Sequence, residues 1–221
     1  MNNDNTPHDL PDSAIGSLYN AEDAALLLID HQPQMIFGAR SSTDPQSLVN
    51  NVTALAKSAR LFGLPTVLTS IAAESFGGDL IPEITRALPD IDVIDRSHIN
   101  AWQDGAFRAA VEATGRRRLL IAGLWTEVCL TFPALSAIES GYEVFAVIDA
   151  SAGSSTAAHD AAIIRMTQKG VVPVSTASVL SELQRDWART ETYGPVNDII
   201  RDHMGAWGQG VNYVTSGFTR K

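Results

Sequence analysis

Short apolar runs alternate with segments of helical periodicity along most of the chain. Runs such as residues 24–29 and 119–122 contain no charge, which is typical of strands buried on both faces of a parallel sheet. Between such runs, segments such as residues 48–62 repeat apolar side chains close to every 3.6 positions. This alternation over residues 24–189 predicts βαβ units. We therefore predict a three-layer α/β/α fold with a mostly parallel central sheet.

The same patterns divide the chain into elements and one domain. Strands are predicted at residues 24–29, 64–70, 91–94, 119–122, 142–148 and 171–176. Helices are predicted at residues 48–62, 104–115, 129–141, 156–170, 177–189 and, as a short segment, 196–204, with a loop at 73–82 and an irregular tail after 204. We interpret residues 1–221 as a single domain with its core at about 20–190, an N-terminal arm at 1–20 and a C-terminal segment at 191–221.

Charge and composition exclude several classes of partner. The net charge is −9 and the isoelectric point is about 4.9, which argues against binding to nucleic acid. No apolar run reaches the ~18 residues of a membrane span, so we expect no membrane association. The N-terminus has no basic and apolar signal sequence, and the chain has one cysteine. We therefore expect a cytoplasmic protein in a reducing compartment.

Four chemically capable residues follow predicted strands, namely Asp30, Arg96, Cys129 and Asp149. In sheets of this kind, ligands bind outside the carboxyl ends of the strands. Cys129 also begins a predicted helix, where unpaired N–H groups and the helix dipole favour negative charge. We therefore expect a lowered thiol pKa and a nucleophilic thiolate. The alternative is that this lone cysteine is only a small buried apolar residue.

Asp30 and Arg96 each have two interpretations. A carboxylate at the edge of the sheet can act as a general base toward the Cys129 thiol, whereas an Asp after a strand is also a common turn or capping residue. A fixed Arg96 cation can hold that carboxylate and stabilise a thiolate. Otherwise, Arg96 forms a surface ion pair with Asp92 or Asp95.

Two motifs resemble those of the isochorismatase-like cysteine hydrolases, and most closely the YcaC-type branch. G-L-W-T-E-V-C at residues 123–129 resembles the nucleophile motif G-x-x-T-x-x-C, and L-L-L-I-D-H-Q at 26–32 resembles the segment that carries the catalytic Asp. The resemblance implies a Rossmann-like sheet and a catalytic set of Asp, Lys and Cys. The segment D-R-S-H-I-N-A-W at 95–102 has Arg96 in place of the Lys, as the YcaC-type branch does. Because Arg stays protonated, it can orient and stabilise but cannot transfer a proton.

The resemblance also implies further parts of the site. Family members have a cis peptide bond at the position of Leu124–Trp125, which would aim the Trp125 N–H at the reacting carbonyl group. Together with the Cys129 N–H, it would form an oxyanion hole. The residues that flank this region are our candidates for substrate binding, namely Gln32, Phe37, Asn100 and Trp102. Trp102 could equally belong to the core, and Asn100 could cap the following helix.

We expect neither a metal nor another cofactor. Nicotinamidases of this family bind a metal through an Asp-x-His pair and a second His after the second strand, but residues 69–75 contain no histidine. The five histidines are scattered along the chain without the spacing of a ligand set. A metal site through His31 or His98 is the remaining alternative.

The resemblance implies a hydrolase that cleaves a C–N bond of a small amide or ureido-like molecule through a thioester on Cys129. The alternatives are an isochorismatase-type vinyl-ether hydrolase, a branch that typically lacks this cysteine, and a non-catalytic binding protein that keeps the fold. We also expect a homo-oligomer, with an octamer as a candidate size. Apolar residues after Thr190 predict that the C-terminal segment packs on a neighbouring subunit. The alternative is that this segment folds back over its own sheet edge.

Overall fold

The computed structural model describes residues 18–41 and 44–216. The predicted N-terminal arm at 1–20 therefore lies almost entirely outside the described residues, and so do the last five positions of the C-terminal segment, 217–221. Within the two described ranges, no helix combines the length and the apolarity that crossing a membrane requires.

Six strands form one sheet at the centre of the fold. They are β1 (Ala24–Ile29), β2 (Thr66–Ile71), β3 (Val93–Arg96), β4 (Arg118–Gly123), β5 (Glu143–Val147) and β6 (Val172–Val174). Their order across the sheet is β3-β2-β1-β4-β5-β6, and every neighbouring pair is parallel. β1 and β4 pair at the middle of the sheet, with Leu27 opposite Ile121. The predicted parallel architecture is therefore confirmed.

Helices cover both faces of this sheet. They are α1 (Pro33–Gly38), α2 (Pro45–Phe62), α3 (Pro82–Ala87), α4 (Gly105–Ala113), α5 (Thr131–Glu139), α6 (Thr156–Thr167), α7 (Thr176–Gln184), α8 (Thr190–His203) and α9 (Gly205–Thr215). Because successive strand residues point to opposite faces, Leu26 and Leu28 of β1 pack with α2, α3 and α7. Leu27 and Ile29 pack with α4, α5 and α6 on the other face.

Local sequence explains where several helices begin and end. Proline is the first residue of α1, α2 and α3, since its missing N–H has no intrahelical partner in a first turn. Asp44 caps α2 by accepting from the N–H groups of Gln46 and Ser47, and Gly63 ends it at a φ of 68°. The helices α1 and α3 were absent from the sequence prediction because six residues are too few to show a 3.6-residue period.

The irregular tail predicted after residue 204 is wrong, because residues 205–215 form α9. Its glycines lower helix propensity and so concealed the helix in the sequence. One of them has a packing role, since a Cβ on Gly208 would lie 2.4 Å from the carbonyl oxygen of Ile200 in α8. Gly208 therefore allows α9 to approach the backbone of α8 closely.

The helix α8 packs on its own chain. Its buried residues Val196, Ile199 and Ile200 form a cluster with Ala54 of α2 and Leu180 of α7. This part of the C-terminal segment therefore covers the outer surface of two helices instead of a sheet edge. The outer face of α9 remains uncovered in the single chain, with Val214 67% exposed.

Candidate active site

The predicted catalytic residues meet at the carboxyl edge of the central strands. After β1 the chain continues to β2 on one side of the sheet, and after β4 it continues to β5 on the other side. The segments that follow β1 and β4 therefore diverge and leave a crevice at this point of the edge. Asp30 directly follows β1, Arg96 ends β3, and Cys129 lies in the turn after β4. Nη2 of Arg96 is 2.6 Å from Oδ2 of Asp30, and the Cys129 thiol and the Asp30 carboxyl group are close enough to shift each other's pKa. The structure therefore brings these three side chains together.

The backbone of Asp30 has a strained conformation. Its φ is 59°, in the left-handed region that residues other than glycine rarely adopt, although Asp tolerates it better than most. The Asp30 N–H donates to the Thr69 carbonyl at 3.0 Å, and the Asp30 carbonyl accepts from the Gln32 N–H at 2.8 Å. These bonds hold the turn that places the carboxyl group at the edge of the crevice. Backbone strain of this kind concentrates at functional sites.

Arg96 is buried and is held by several acceptors. Besides Asp30, its guanidinium donates through Nη1 to the carbonyl oxygens of His98 and Ile99. The surface ion pair that was the alternative for Arg96 does not form. Asp95 instead accepts from the Ser70 hydroxyl at 2.8 Å and from the Ala73 N–H at 3.1 Å. Arg96 is thus a fixed, permanently charged group beside the Asp30 carboxyl group.

The two oxygens of the Asp30 carboxyl group have different surroundings. Oδ2 accepts from Arg96, whereas Oδ1 has no N–H or O–H donor among residues 18–41 and 44–216. Burial raises the pKa of this carboxyl group above its ordinary value of 3.8, while the Arg96 charge and the hydrogen bond from Cys129 oppose the shift. A raised pKa makes the carboxylate a stronger base toward a neighbouring thiol.

Cys129 lies in a π-helical turn, Thr126–Leu130, which we call the nucleophile turn and which leads into α5. This turn packs directly on the end of β4, because a Cβ on Gly123 would lie 3.1 Å from the carbonyl oxygen of Cys129. The first position of the G-x-x-T-x-x-C motif therefore favours glycine. The Cys129 N–H donates to the Trp125 carbonyl at 2.9 Å, so it is not a free donor in this conformation.

The expected lowering of the thiol pKa is wrong for this conformation. Burial is the largest influence and raises the pKa of Cys129, and the negative charge and hydrogen bond of Asp30 raise it further. Arg96 and the backbone around Trp125 act in the opposite direction but do not outweigh burial. The sequence analysis counted only the helix N-terminus, which cannot offset the loss of solvation. The resting site therefore favours a protonated thiol next to a base.

Trp125 connects the nucleophile turn to α1. The peptide bond between Leu124 and Trp125 is cis, and the indole Nε1 donates to the Met35 carbonyl at 2.8 Å. A Cβ on Gly38 would lie 2.6 Å from the indole ring, so the end of α1 has room only for glycine. The main-chain N–H of Trp125 has no hydrogen bond within the described part of the chain, and it is the donor with which an oxyanion could pair.

The four candidates for substrate binding have different surroundings. The Gln32 carboxamide is buried and bonds to backbone groups of Ile71 and Gly78, which fastens the loop after β2. Asn100 caps the short turn at 101–103 and also donates to Ser136, while Trp102 lies in the core. Phe37 is 73% exposed on α1. Phe37 alone among them presents a free surface for a ligand; the polar atoms of the other three are committed to protein partners.

Asp149 and the histidines lie apart from this chemistry. Asp149 follows the carboxyl end of β5, as expected, but its Oδ1 accepts from the N–H and the hydroxyl of Thr176 and so fastens the start of α7. His31 is buried, with Nε2 2.9 Å from the Ala150 carbonyl oxygen and a pKa lowered to about 4 by burial. His98 faces Asp104 at 3.7 Å. Among the residues that the structure describes, no group of acidic, His and Cys side chains is arranged to hold a metal ion.

Sequence reasoning missed two features of the surroundings. Thr126 and His159 form a buried hydrogen bond behind the nucleophile, at 2.8 Å between Oγ1 and Nδ1. Phe76 and Ile99, which lie in the segments after β2 and β3, are 56% and 58% exposed and add apolar surface at the carboxyl edge of the sheet. The Thr of the nucleophile motif was a signal for the first feature. The second had none, since exposed apolar residues in loops follow no period.

Comparison with known proteins decides the family. Residues 24–178 match the family model described as Isochorismatase domain. The chain belongs to the isochorismatase family. Within this family, it is 44% identical over 166 residues to the probable hydrolase YcaC of Escherichia coli (strain K12), which is 75% of this chain and 79% of that protein. The resemblance inferred from the motifs is therefore confirmed.

Two solved isochorismatase-family structures are similar over nearly the whole chain. YcaC from Escherichia coli, described as an octameric hydrolase of unknown specificity, has a TM-score of 0.86 and 38% identity, covering 95% of this chain and 100% of that one. YcaC from Pseudomonas aeruginosa, solved with hexane-2,5-diol and covalent acrylamide, has a TM-score of 0.86 and 39% identity, covering 94% of this chain and 100% of that one.

Proposed function

We propose that this chain is a hydrolase with a cysteine nucleophile that cleaves a C–N bond of a small amide or ureido-like substrate. The observation that carries the proposal is the arrangement around Asp30. One carboxyl oxygen is fixed by the buried Arg96, and the group lies close enough to the Cys129 thiol for the two to shift each other's pKa. A base with a raised pKa next to a protonated thiol is the arrangement that general-base activation of a nucleophile requires.

The first half of the reaction forms a thioester. Asp30 takes the proton from Sγ of Cys129 as the sulfur attacks the substrate carbonyl carbon. The resulting oxyanion pairs with the Trp125 N–H, and with the Cys129 N–H once it leaves the Trp125 carbonyl. Collapse of this intermediate breaks the C–N bond, and the proton on Asp30 passes to the departing nitrogen. Ammonia or an amine is released, and Cys129 carries the acyl group.

The second half regenerates the enzyme. Asp30 takes a proton from a water molecule, whose oxygen attacks the thioester carbon. The C–S bond then breaks, the sulfur recovers its proton from Asp30, and a carboxylic or carbamic acid leaves. Arg96 keeps its charge throughout because a guanidinium group is not deprotonated in proteins. Its role is to hold Asp30 Oδ2 and to limit the cost of burying the carboxylate.

The comparisons support a reactive nucleophile. Acrylamide is an electrophile that alkylates thiols, and a YcaC structure contains it in covalent form. Because this chain has one cysteine, we expect acrylamide to modify Cys129. Acrylamide also carries a primary amide, so its reaction would be consistent with a site that accepts small amides.

The chain also acts as a homo-oligomer in this proposal. The support is the octameric YcaC relative together with the exposed apolar residues of α9, such as Val214. An apolar surface on a terminal helix more often covers a partner than faces water. Light scattering on the full-length protein tests this point, and a monomeric mass at micromolar concentration would contradict it.

The function is tested with a panel of small amides and ureides, scored by ammonia release and by the intact mass of quenched protein. We expect ammonia from at least one member of the panel and an added acyl mass on the wild-type chain only, with Cys129→Ala as the matched control. Turnover of a vinyl ether with no ammonia from any amide would favour the isochorismatase-type reaction. No turnover together with an inert thiol would favour the non-catalytic binding protein.

A further inference from the structure

A hydrogen bond between two buried side chains supports the nucleophile turn from behind. Thr126, the first residue of the turn, is fully buried, and its Oγ1 lies 2.8 Å from Nδ1 of His159 on α6. The other polar groups of Thr126 are also engaged, because its N–H donates to the Ala152 carbonyl at 3.0 Å and its carbonyl accepts from the Thr131 hydroxyl at 2.6 Å. His159 therefore completes the fixation of the residue that starts the turn.

The space around this pair leaves little freedom for movement. A Cβ on Gly153 would lie 3.0 Å from both Cβ and the backbone nitrogen of His159 and 2.8 Å from Oε2 of Glu127. Glu127, the next residue of the turn, is bonded through Oε1 to the N–H and hydroxyl of Ser154. The loop before α6 thus packs closely on both the nucleophile turn and His159.

The protonation of the imidazole determines the direction of this hydrogen bond. The Thr126 hydroxyl has no other acceptor among the described residues, so we assign it as the donor to an unprotonated Nδ1, with the ring proton on Nε2. If the ring gains a second proton, Nδ1 becomes a donor, the bond to Thr126 reverses, and the buried hydroxyl hydrogen loses its acceptor. A buried donor without an acceptor is costly, so protonation would loosen the start of the turn.

We infer that His159 is a positioning residue, which must be neutral to hold Thr126 and thereby the turn that presents Cys129 to its substrate. The inference rests on the proposed role of Cys129 as nucleophile. His159 does not touch the substrate; it acts through the Thr126 hydroxyl. The hydrogen bond between His159 and Thr126 is therefore a second acid-sensitive feature of the site, separate from the Asp30 base.

The charges around His159 set the pH range of this support. Burial lowers the pKa of His159 below its ordinary value of 6.5, and the nearby carboxylates of Asp160 on α6 and Glu127 in the turn raise it in part. The folded protein therefore takes up the proton less readily than the unfolded chain. The unfolding free energy that depends on His159 consequently falls as the pH falls below 6.5.

Substitutions at position 159 separate the hydrogen-bonding role of the side chain from the effect of its size. The Oδ1 of Asn can occupy the place of Nδ1 and accept from Thr126 without titrating, whereas the longer Gln places its amide near Nε2. We expect His159→Asn to keep the acrylamide rate of Cys129 at neutral pH and to remove the part of the rate loss below pH 6.5 that is due to His159. We expect His159→Gln and Thr126→Val each to slow alkylation about fivefold, the size of one lost hydrogen bond, and to show no further loss when combined.

The measurement is the rate of acrylamide addition to the only cysteine, followed by intact mass between pH 5 and 8, with circular dichroism to establish folding. His203→Asn is the matched control, since His203 on α8 also has a pKa lowered by burial, and it should behave as wild type. An unreactive wild-type thiol would overturn the proposed function. A reactive wild type with unchanged rates in His159→Gln and Thr126→Val, or with unchanged acid sensitivity in His159→Asn, would overturn this inference alone. If His159→Gln does not fold, Thr126→Val decides between these outcomes.

Discussion

Nη2 of Arg96 lies 2.6 Å from Oδ2 of Asp30, and both side chains are fully buried. The pair joins the ends of β3 and β1, which are two strands apart in the sheet. A buried ion pair of this kind adds little stability for its cost in desolvation. Its location next to the only cysteine suggests that its value lies in keeping a base in place for the Cys129 thiol.

The nucleophile is tested by removing its sulfur. We expect Cys129→Ala to lower amide turnover by at least about a thousandfold, and Cys129→Ser to do nearly the same because a hydroxyl is far less acidic than a thiol. The measurement is ammonia release, with thermal unfolding to show that the fold is kept. Undiminished hydrolysis by Cys129→Ala would remove the thioester mechanism.

The cation beside the base is tested by two substitutions at one position. Arg96→Lys preserves the charge and restores the residue common in the family, so we expect partial activity. Arg96→Ala leaves the Asp30 carboxylate buried without a partner, which should cost ~3–5 kcal/mol of stability and raise the pKa of Asp30 further. Denaturant unfolding and turnover are measured on both variants. Equal stability and activity in wild type and Arg96→Ala would show that the ion pair is dispensable.

The pH dependence of turnover follows from the carboxyl group. Asp30 must be unprotonated to act as a base, and burial raises its pKa above 3.8. Activity should therefore fall as the pH decreases, with a midpoint higher than an ordinary Asp would give. The pH profiles of turnover in Arg96→Lys and in His159→Asn separate the loss of activity due to Asp30 from the loss due to His159. A midpoint of this loss at or below pH 3.8 would contradict the raised pKa of Asp30.

The sequence predicted the parts of the fold that repeat with a period. The buried strands and the helix α2 follow from apolar runs and 3.6-residue spacing, and two motifs located Asp30 and Cys129. The tail after residue 204 was misassigned because the reason for Gly208 lies in its contact with Ile200 of α8. That contact has no signature in the local pattern.

The chemistry of the site was predicted less completely than its location. The direction of the thiol pKa depends on burial and on the Asp30 charge, both of which are set by residues distant in the sequence. The role of Gln32 was missed for a similar reason, since its carboxamide bonds to backbone groups of the loop after β2. Adjacency to Asp30 in the sequence therefore did not reveal that the Gln32 carboxamide is engaged by the backbone.

The central claim is that Asp30 activates Cys129 as a general base, and its most direct test is the rate of acrylamide addition to Asp30→Asn at neutral pH. If Asp30 only acted through its charge, the substitution would lower the thiol pKa, because that charge raises it, and alkylation would become faster. The matched control is Asp149→Asn, whose carboxyl group caps α7 instead. Our account predicts that Asp30→Asn reacts ~10²–10⁴-fold more slowly than wild type and Asp149→Asn. An unchanged or faster rate in folded Asp30→Asn would contradict it.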